Sequence, residues 1–585
     1  MYDDVTCTSL WTRFMRAKYY TGRISRQIQL KLHDSQTWKR MLASCPVTGQ
    51  HIRWWIGKAE LLFWHQCWMG DEPLVNHFLS FASSMIRMSN FYHNGTWNVG
   101  KLNDGLPDDV VAKILKIPID ESQVDEAYWA PTSDDRFTTK EGNQAADLLS
   151  NQGYTHQNLH VFSQAEGQLK DENQPRHLFY YFVEAEIDPA SKPLVLWLNG
   201  GPGYSSVGAG AFCEHGPFRP SADILLKNEY SWNKEANMLY LESPAGVGFS
   251  YSANKSFYTS VNDEMTARDN LAFLEKWLAK FPEYKNRDLF ITGESYGGHY
   301  VPQLAELVSQ STNKFNLRGI AIGNPLLEYN ADFNSRAEFY WSHGLISDTT
   351  YEALTSVCNY SQYRRERDSG SLTPVCSAVA NQVSREISSF VDIYDVTLDV
   401  CLSSLFSQSK ILTELEPEEE VDVCVEDKTV QYLNRKDVQE AFHAQLVGIT
   451  AWTVCSDVLK YKMQDLEIPT IHILDRLVRS GIRVWVYSGD QDSVIPLIGT
   501  RILINGLAKE LGLNTSVAYR VWFAGRQVAS WTQGYGDILT FATIRGASHE
   551  APFSQPQRSL VLFKAFLAGK PLPETSLIDE QMEHK

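Results

Sequence analysis

The five residues from Gly293 to Gly297 constrain the fold of this chain more than any other stretch. They read Gly-Glu-Ser-Tyr-Gly and have the G-x-S-x-G spacing of a tight turn that presents a serine. Residues 287–292 form the apolar run of a buried strand, and residues 299–308 carry apolar side chains at helical spacing. Because the glycines permit a sharp bend, this strand, turn and helix are predicted to expose Ser295 as a nucleophile.

Alternating strand and helix patterns surround this turn. Such alternation is typical of an α/β protein with a doubly wound, mostly parallel sheet. Between about residues 326 and 430 the alternation lapses, and this stretch is predicted to be an inserted cap subdomain. Strands are predicted at 177–183, 193–198, 238–241, 317–322, 483–487 and 540–544, and helices at 266–280 and 438–444.

Charge and composition exclude several classes of function. The 585 residues carry a formal net charge of -17, which argues against nucleic-acid binding. No apolar run approaches the roughly 18 residues of a membrane span, so no membrane association is expected. The cysteines lack the paired spacing of a metal site, and neither a metal nor another cofactor is predicted. The start of the chain, Met1 to Asp4, is acidic, and no signal peptide is visible.

A serine nucleophile needs a base and an orienting carboxylate, which follow it in the chain in α/β-hydrolases. Asp490 and Asp492 lie on the turn after the predicted strand 483–487, and spacing alone does not choose between them. His549 follows the last predicted strand and is the candidate base.

An oxyanion in the transition state needs two aimed main-chain N–H groups. The residue after the nucleophile, Tyr296, is predicted to supply one of them. The glycine-rich loop Asn199–Gly203 is predicted to supply the other. This loop lacks the lysine and the Ser or Thr of a phosphate-binding P-loop, so nucleotide binding is disfavoured.

Five blocks of sequence resemble the serine carboxypeptidases, and most of all the plant serine carboxypeptidase-like proteins. The resemblance runs from about Leu178 to the C-terminus. It implies an α/β-hydrolase fold in which Ser295 is the nucleophile, Asp492 the acid and His549 the base. It also implies an oxyanion hole formed by Gly201 and Tyr296. The blocks are Trp197–Gly203, Glu242–Ser250, Gly293–Tyr300, Tyr487–Asp492 and Gly546–His549.

The resemblance further implies a peptide substrate held by its C-terminal carboxylate, through Asn199, Gly200, Glu214 and Glu294. The two glutamates would share a proton, because adjacent carboxyls do not both ionise cheaply. Activity is therefore expected at acidic pH, roughly 4 to 6. Two alternatives stay open: an acyltransferase that uses acyl-sugar donors on the same triad, and an inactive chimeric product.

The cysteine positions agree with the family at two implied disulfides and differ from it at one position. The resemblance implies disulfides Cys358–Cys376 and Cys401–Cys424. Where the family has a cysteine, this chain has Tyr204, so the expected partner Cys455 would be left unpaired. Cys213 is a nearby odd cysteine. The family is secreted or vacuolar and often dimeric, so an oxidising compartment and a possible homodimer are expected.

The N-terminal part of the chain is predicted to be a separate segment. Residues 10–73 resemble a fragment of the reverse-transcriptase polyprotein of plant non-LTR retroelements. Residues 1–140 are therefore predicted to be poorly ordered and to take no part in the chemistry. Residues 141–585 are predicted to form the carboxypeptidase-like domain.

Overall fold

The computed structural model separates the chain into two compact units, residues 1–156 and 157–585. The predictions for residues 10–51 and 56–73 lie outside the described residues. The structure describes residues 52–55, 87–93, 96–103, 106–116, 126–129, 176–221, 224–401, 421–444 and 446–575.

The described parts of the first unit contain short elements. The antiparallel pairs are Ile52–Trp55 with Glu126–Trp129, and Tyr92–His93 with Thr96–Trp97. The helices are Val99–Asn103 and Asp108–Ile114.

A nine-stranded mixed sheet forms the centre of the second unit. Its spatial order is β7-β8-β9-β6-β5-β4-β2-β3-β1, in which β1, β7 and β8 pair antiparallel and the six strands between them pair in parallel. The strands are β1 Tyr180–Val183, β2 Leu194–Leu198, β3 Asn237–Leu241, β4 Leu289–Glu294, β5 Leu317–Gly323, β6 Arg483–Gly489, β7 Thr515–Ala524, β8 Gln527–Tyr535 and β9 Leu539–Ile544.

Helices cover both faces of this sheet, which confirms the predicted α/β class. The segment Ser206–Glu214 is also helical, with π-type hydrogen bonding. Two small two-stranded antiparallel sheets pair Arg176–His177 with Tyr251–Ser252, and Phe218–Ser221 with Ile224–Lys227. The helices are α1 Asp263–Lys280, α2 Gly297–Gln310, α3 Tyr329–Ser342, α4 Asp348–Ser356, α5 Tyr360–Asp368, α6 Pro374–Ile387, α7 Val425–Leu433, α8 Lys436–Ala441, α9 Ile471–Arg479, α10 Leu497–Glu510, α11 Ala551–Ser554 and α12 Pro556–Ala568.

The sheet is buried on both faces. Alternate residues of β2 belong to different cores: Leu196 packs in the core that includes α1 and α2, and Trp197 packs in the core on the other face. Both side chains are fully buried. The continuous apolar run of this strand has its physical reason here, because a central parallel strand has no solvent face. Each such side chain contributes about 1.5–3 kcal/mol of burial free energy.

The parallel register brings five strand ends together at one edge of the sheet. Gly293 pairs with Leu198 of β2, and Glu294 pairs with Gly323 of β5. Gly323 in turn pairs with Tyr487, and Gly489 pairs with Ile544. The loops that leave β2, β4, β5, β6 and β9 therefore meet at the carboxyl edge, where α/β proteins place their sites.

Two local predictions differ from the structure. The predicted strand 177–183 is divided, because Arg176–His177 pairs with the short strand Tyr251–Ser252 and only Tyr180–Val183 joins the central sheet. The hairpin of β7 and β8 was not predicted. The first seven residues of β7 are exposed or half-buried, so this strand lacks the apolar run of a central strand.

The helices between β5 and β6 include a packing unit of their own. Side chains of α3, α4 and α6 surround a separate small core, which includes Phe339, Leu354 and Val383. Disulfides join Cys358 to Cys376 and Cys401 to Cys424, with Cα atoms 5.3 and 5.1 Å apart. None of the helices in the described part of the chain is long and apolar enough to cross a membrane.

Candidate active site

Ser295 occupies the sharp turn between β4 and α2. Its φ of 59° lies in the left-handed region, which costs a residue other than glycine about 1–3 kcal/mol. Main-chain hydrogen bonds hold this conformation. The Ser295 N–H donates to the Gly323 carbonyl at 2.9 Å, and the Ser295 carbonyl accepts from Gly298 at 2.9 Å and Leu326 at 3.0 Å. Ser295 is half-buried, while its neighbours on both sides are buried.

The loop after β2 lies directly against this turn. A Cβ atom on Gly200 would collide with the main-chain nitrogen of Tyr296, and one on Gly293 would collide with the Leu198 carbonyl. Gly201 has a φ of 108°, which only glycine adopts readily. Glycine at these positions therefore allows the two main chains to approach closely, which is what a shared oxyanion hole of Gly201 and Tyr296 requires.

His549 contacts Asp492. The His549 Nδ1 atom lies 2.8 Å from Asp492 Oδ2, and both side chains are buried. Asp492 also accepts hydrogen bonds from Val494 N–H at 2.6 Å, Ile495 N–H at 3.1 Å and Asn324 Nδ2 at 2.7 Å. These donors fix the carboxylate, which in turn orients the imidazole.

Asp490 has different partners. Its Oδ1 atom accepts hydrogen bonds from the Gly546 N–H at 2.6 Å and from Gln491 Nε2 at 2.9 Å. It ties the loop after β6 to the loop after β9. Of the two aspartates that the sequence left open, the structure thus places Asp492 against the imidazole.

The charge of Asp492 affects the pKa of His549. Burial alone would lower this pKa, but the charge of Asp492 and its hydrogen bond raise it above the usual value. An imidazole with a raised pKa accepts a proton readily, which suits a general base that activates a hydroxyl.

Glu214 and Glu294 form a buried carboxyl pair through Asn199. The Asn199 Nδ2 atom donates to Glu214 Oε1 at 2.8 Å and to Glu294 Oε1 at 2.7 Å. Trp197 Nε1 donates to Asn199 Oδ1 at 2.6 Å and so fixes the orientation of the amide. The Oε2 atoms of both glutamates are buried and receive no hydrogen bond from any other residue, and a hydrogen bond joins the two carboxyls to each other.

Burial raises the pKa of both carboxyls. The pKa of Glu214 rises to about 7. The pKa of Glu294 rises well above its ordinary value, because burial and the neighbouring Glu214 charge both disfavour its ionised form. A protonated carboxyl at this place can donate a hydrogen bond to a carboxylate ligand.

Tyr204 lies opposite Cys455 in an isolated antiparallel bridge. The Tyr204 hydroxyl donates to Glu426 Oε2, in α7, at 2.6 Å. A side-chain hydrogen bond is therefore found at the position where the family resemblance implies a cysteine in a disulfide. Of the cysteines in the described ranges, Cys213 and Cys455 are free. Cys213 is buried and contacts Thr429 Oγ1 at 3.3 Å rather than Cys455.

Two residues next to the His549–Asp492 pair were not predicted from the sequence. Asn324 donates a hydrogen bond to Asp492 through its side-chain amide. Glu550 follows His549, and burial is the main cause that raises its pKa to about 8. The signal for Asn324 was its place after β5, because the end of every parallel strand reaches the same edge.

No cluster of three or more histidine, cysteine or acidic residues that could hold a metal ion occurs among the residues the structure describes.

A doubly wound sheet, a serine on a strained strand-to-helix turn and a buried His–Asp pair in the order Ser, Asp, His together define an α/β-hydrolase. The profile of the family described as serine carboxypeptidase matches residues 155–569. The chain belongs to this family, and it is a hydrolase of the serine carboxypeptidase type.

Individual relatives agree with this assignment. Serine carboxypeptidase-like 45 of Arabidopsis thaliana is 67% identical over 407 residues, which cover 69% of this chain and 88% of that protein. Serine carboxypeptidase-like 46 of the same plant is 64% identical over 409 residues, covering 69% and 88%. The fold is similar to the crystal structure of Kex1(delta)p, a prohormone-processing carboxypeptidase from Saccharomyces cerevisiae. That match has a TM-score of 0.55 and 22% identity, and covers 70% of this chain and 90% of the other.

Proposed function

We propose that this serine carboxypeptidase releases the C-terminal residue of peptides through an acyl-enzyme on Ser295. Ser295 Oγ attacks the carbonyl carbon of the last peptide bond while His549 takes the hydroxyl proton. Asp492 holds the imidazole in place. The N–H groups of Gly201 and Tyr296 receive the oxyanion. The C–N bond then breaks, and His549 gives the proton to the leaving amine. Water then attacks the acyl carbon while His549 takes a proton from it. The bond to Ser295 Oγ breaks, His549 returns the proton to Oγ, and the shortened peptide leaves as a carboxylic acid.

One observation carries the assignment of a peptide C-terminus: the buried carboxyls of Glu214 and Glu294 form hydrogen bonds with each other and with the Asn199 amide. A proton held by this buried pair is available as a hydrogen bond to a substrate carboxylate. The Gly200 N–H, in the loop beside the nucleophile, is the fourth proposed contact to that carboxylate.

The carboxyl pair makes binding of the substrate carboxylate dependent on pH. Below a pH of about 7, Glu214 keeps a proton that the substrate carboxylate can accept in a hydrogen bond. Above it the pair gains negative charge and repels the substrate. Substrate binding is therefore expected up to about one pH unit above the range of roughly 4 to 6 that was expected for activity from the sequence. Because the pKa of His549 is raised above its usual value, protonation of the imidazole removes the base over the acidic part of this range, so kcat should be highest towards its upper end.

The experiment uses the full chain, expressed with a secretion signal so that the disulfides can form. The substrate is an N-blocked dipeptide, and the matched control substrate is the same dipeptide with a C-terminal amide. We expect the wild-type protein to cleave the N-blocked dipeptide with a free C-terminal carboxylate, and Ser295→Ala not to cleave it. The KM of the wild type should rise above a pH of about 7. The amide should be cleaved poorly at every pH.

A matched variant tests the recognition pair. Glu214→Gln keeps an acceptor for Asn199 and places an uncharged donor where Oε2 lies. Its KM should therefore stay nearly constant from pH 5 to 8, roughly, because no charge develops at that position. Folded protein without Ser295-dependent cleavage at any pH would contradict the proposal. Acyl-sugar donors would then test the acyltransferase, and inactivity with both would leave the inactive chimeric product.

The compartment and the assembly remain proposals. Both disulfides lie in the cap region, and such bonds form in oxidising compartments, which supports a secreted or vacuolar protein. The homodimer rests on the family resemblance alone, and the retroelement-like origin of residues 10–73 stays a prediction.

A further inference from the structure

The carboxylate of Asp263 collects four side-chain donors behind the nucleophile turn. Asp263 is the first residue of α1 and is 7% exposed. Its Oδ1 atom accepts from the hydroxyls of Tyr296 at 2.9 Å and Tyr461 at 2.6 Å. Its Oδ2 atom accepts from Gln303 Nε2 at 2.8 Å and lies 2.8 Å from His299 Nδ1. Three of these four partners belong to the turn and α2.

The contacts hold Asp263 as an anion. Burial opposes ionisation, but the hydrogen bond and charge of His299, with the hydrogen bonds of Tyr461 and Gln303, lower the pKa of Asp263. Hydrogen bonds to an ionised group are about twice as strong as neutral ones. The anion therefore anchors its donors firmly.

Tyr296 is fixed at both ends of its side chain. Its hydroxyl is bound to Asp263, and its ring stacks on His299, with centroids 4.5 Å apart and planes 11° apart. Tyr296 directly precedes α2, and its carbonyl accepts the His299 N–H at 2.9 Å. His299 therefore contacts both the ring and the main chain of Tyr296, which links the orientation of one to that of the other.

We propose that Asp263 is a positioning residue for the oxyanion hole: it holds the Tyr296 side chain so that the Tyr296 N–H stays aimed at the oxyanion. This inference rests on the proposed function, in which that N–H is one of the two donors. Asp263 touches no reacting atom. Its contribution is geometric, and displacements near 1 Å at such a donor cost about 100-fold in rate.

The test removes, one at a time, the two tyrosine hydroxyls that donate to Asp263 Oδ1. Tyr296→Phe keeps the main-chain N–H and loses the anchor. Tyr461→Phe loses the other phenol on Oδ1 and leaves Tyr296 bound, so it is the matched control. We expect kcat to fall about tenfold in Tyr296→Phe with KM within about twofold, and to change by less than about threefold in Tyr461→Phe.

Inhibitor binding separates positioning from general destabilisation. A peptide aldehyde adds to Ser295 and places its oxygen in the oxyanion hole, whereas a free N-blocked amino acid uses the carboxylate site. Tyr296→Phe should weaken the aldehyde about tenfold and leave the amino acid within about twofold. Asp263→Asn should act in the same direction, and its effect should not add to that of Tyr296→Phe, because both break the same contact.

The outcomes are distinct. Equal losses for both inhibitors, or equal effects of the two Tyr→Phe changes, would overturn the positioning role while the proposed function stands. Additive effects of Asp263→Asn and Tyr296→Phe would overturn it too. A wild-type protein that shows no Ser295-dependent hydrolysis would overturn the proposed function, and this inference with it.

Discussion

Asp490 and Asp492 are two residues apart, yet their carboxylates bind different partners. Asp490 is half-buried and bonds to the Gly546 main chain, whereas Asp492 is fully buried and contacts His549. The turn after β6 directs the two side chains to different residues of the loop after β9. Only the carboxylate that meets the imidazole can fix its tautomer.

Paired substitutions test this difference. Asp492→Asn should lower kcat by about 10³- to 10⁴-fold, because an amide in its place disturbs the imidazole tautomer. Asp490→Asn keeps an oxygen acceptor for Gly546 and should change kcat by less than about threefold. Steady-state kinetics on the N-blocked dipeptide measure both. Equal losses in the two variants would show that the acid role is wrongly placed.

At the scale of elements, the bridge between Tyr204 and Cys455 joins the loop after β2 to the segment before α9. Its hydrogen bonds run from Ser205 N–H to the Val454 carbonyl at 2.8 Å and from Ser456 N–H to the Gly203 carbonyl at 2.9 Å. They flank the pair, so Tyr204 and Cys455 form a non-hydrogen-bonded pair. The Cα atoms of such pairs are about 4.5 Å apart, within the range of a disulfide.

Tyr204→Cys should therefore form a disulfide with Cys455 when the protein is made in an oxidising compartment. The bond would close a loop across the domain and add about 2–4 kcal/mol to the free energy of unfolding. Peptide mapping and thermal unfolding measure the two effects. Tyr204→Ser is the control, because it loses the same contact to Glu426 without adding a thiol. Alkylation of both Cys455 and the thiol introduced at position 204 would contradict the prediction.

At the scale of the whole molecule, several carboxyls with raised pKa values lie in the interior. Burial raises the pKa of Glu214, Glu242 and Asp332 to about 7, and raises that of Glu294 well above its ordinary value. These groups stay protonated in the folded state above the pH at which they ionise in the unfolded chain. Their stabilising contribution is therefore complete below a pH of about 4 and is lost as pH rises towards 7.

Asp332 offers the cleanest test of this linkage. Its Oδ2 atom accepts from the N–H groups of Leu327 at 2.7 Å and Glu328 at 2.9 Å, while Oδ1 has no partner. Asp332→Asn keeps the acceptor and removes the titration. Between pH 4.5 and 7, its free energy of unfolding should fall less steeply than that of the wild type, by up to about 1.4 kcal/mol per pH unit. Urea unfolding measures both slopes, and parallel slopes would contradict the prediction.

The amino-acid sequence by itself determined the local features of this protein. The strand, turn and helix around Ser295 follow from neighbouring residues, because glycine freedom and apolar spacing act over a few positions. The α/β class and the family also followed from the sequence, and both are confirmed. The hairpin of β7 and β8 did not, because its strands lack a buried apolar run.

The tertiary structure decided which distant side chains meet. Asn324 contacts Asp492 across 168 positions of sequence, and Asp263 contacts Tyr296 across 33. The choice of Asp492 over Asp490 depends in the same way on how the loops after β6 and β9 face each other. The physical reason is that these contacts depend on strand order and register, which the whole core selects and which no single stretch of sequence contains.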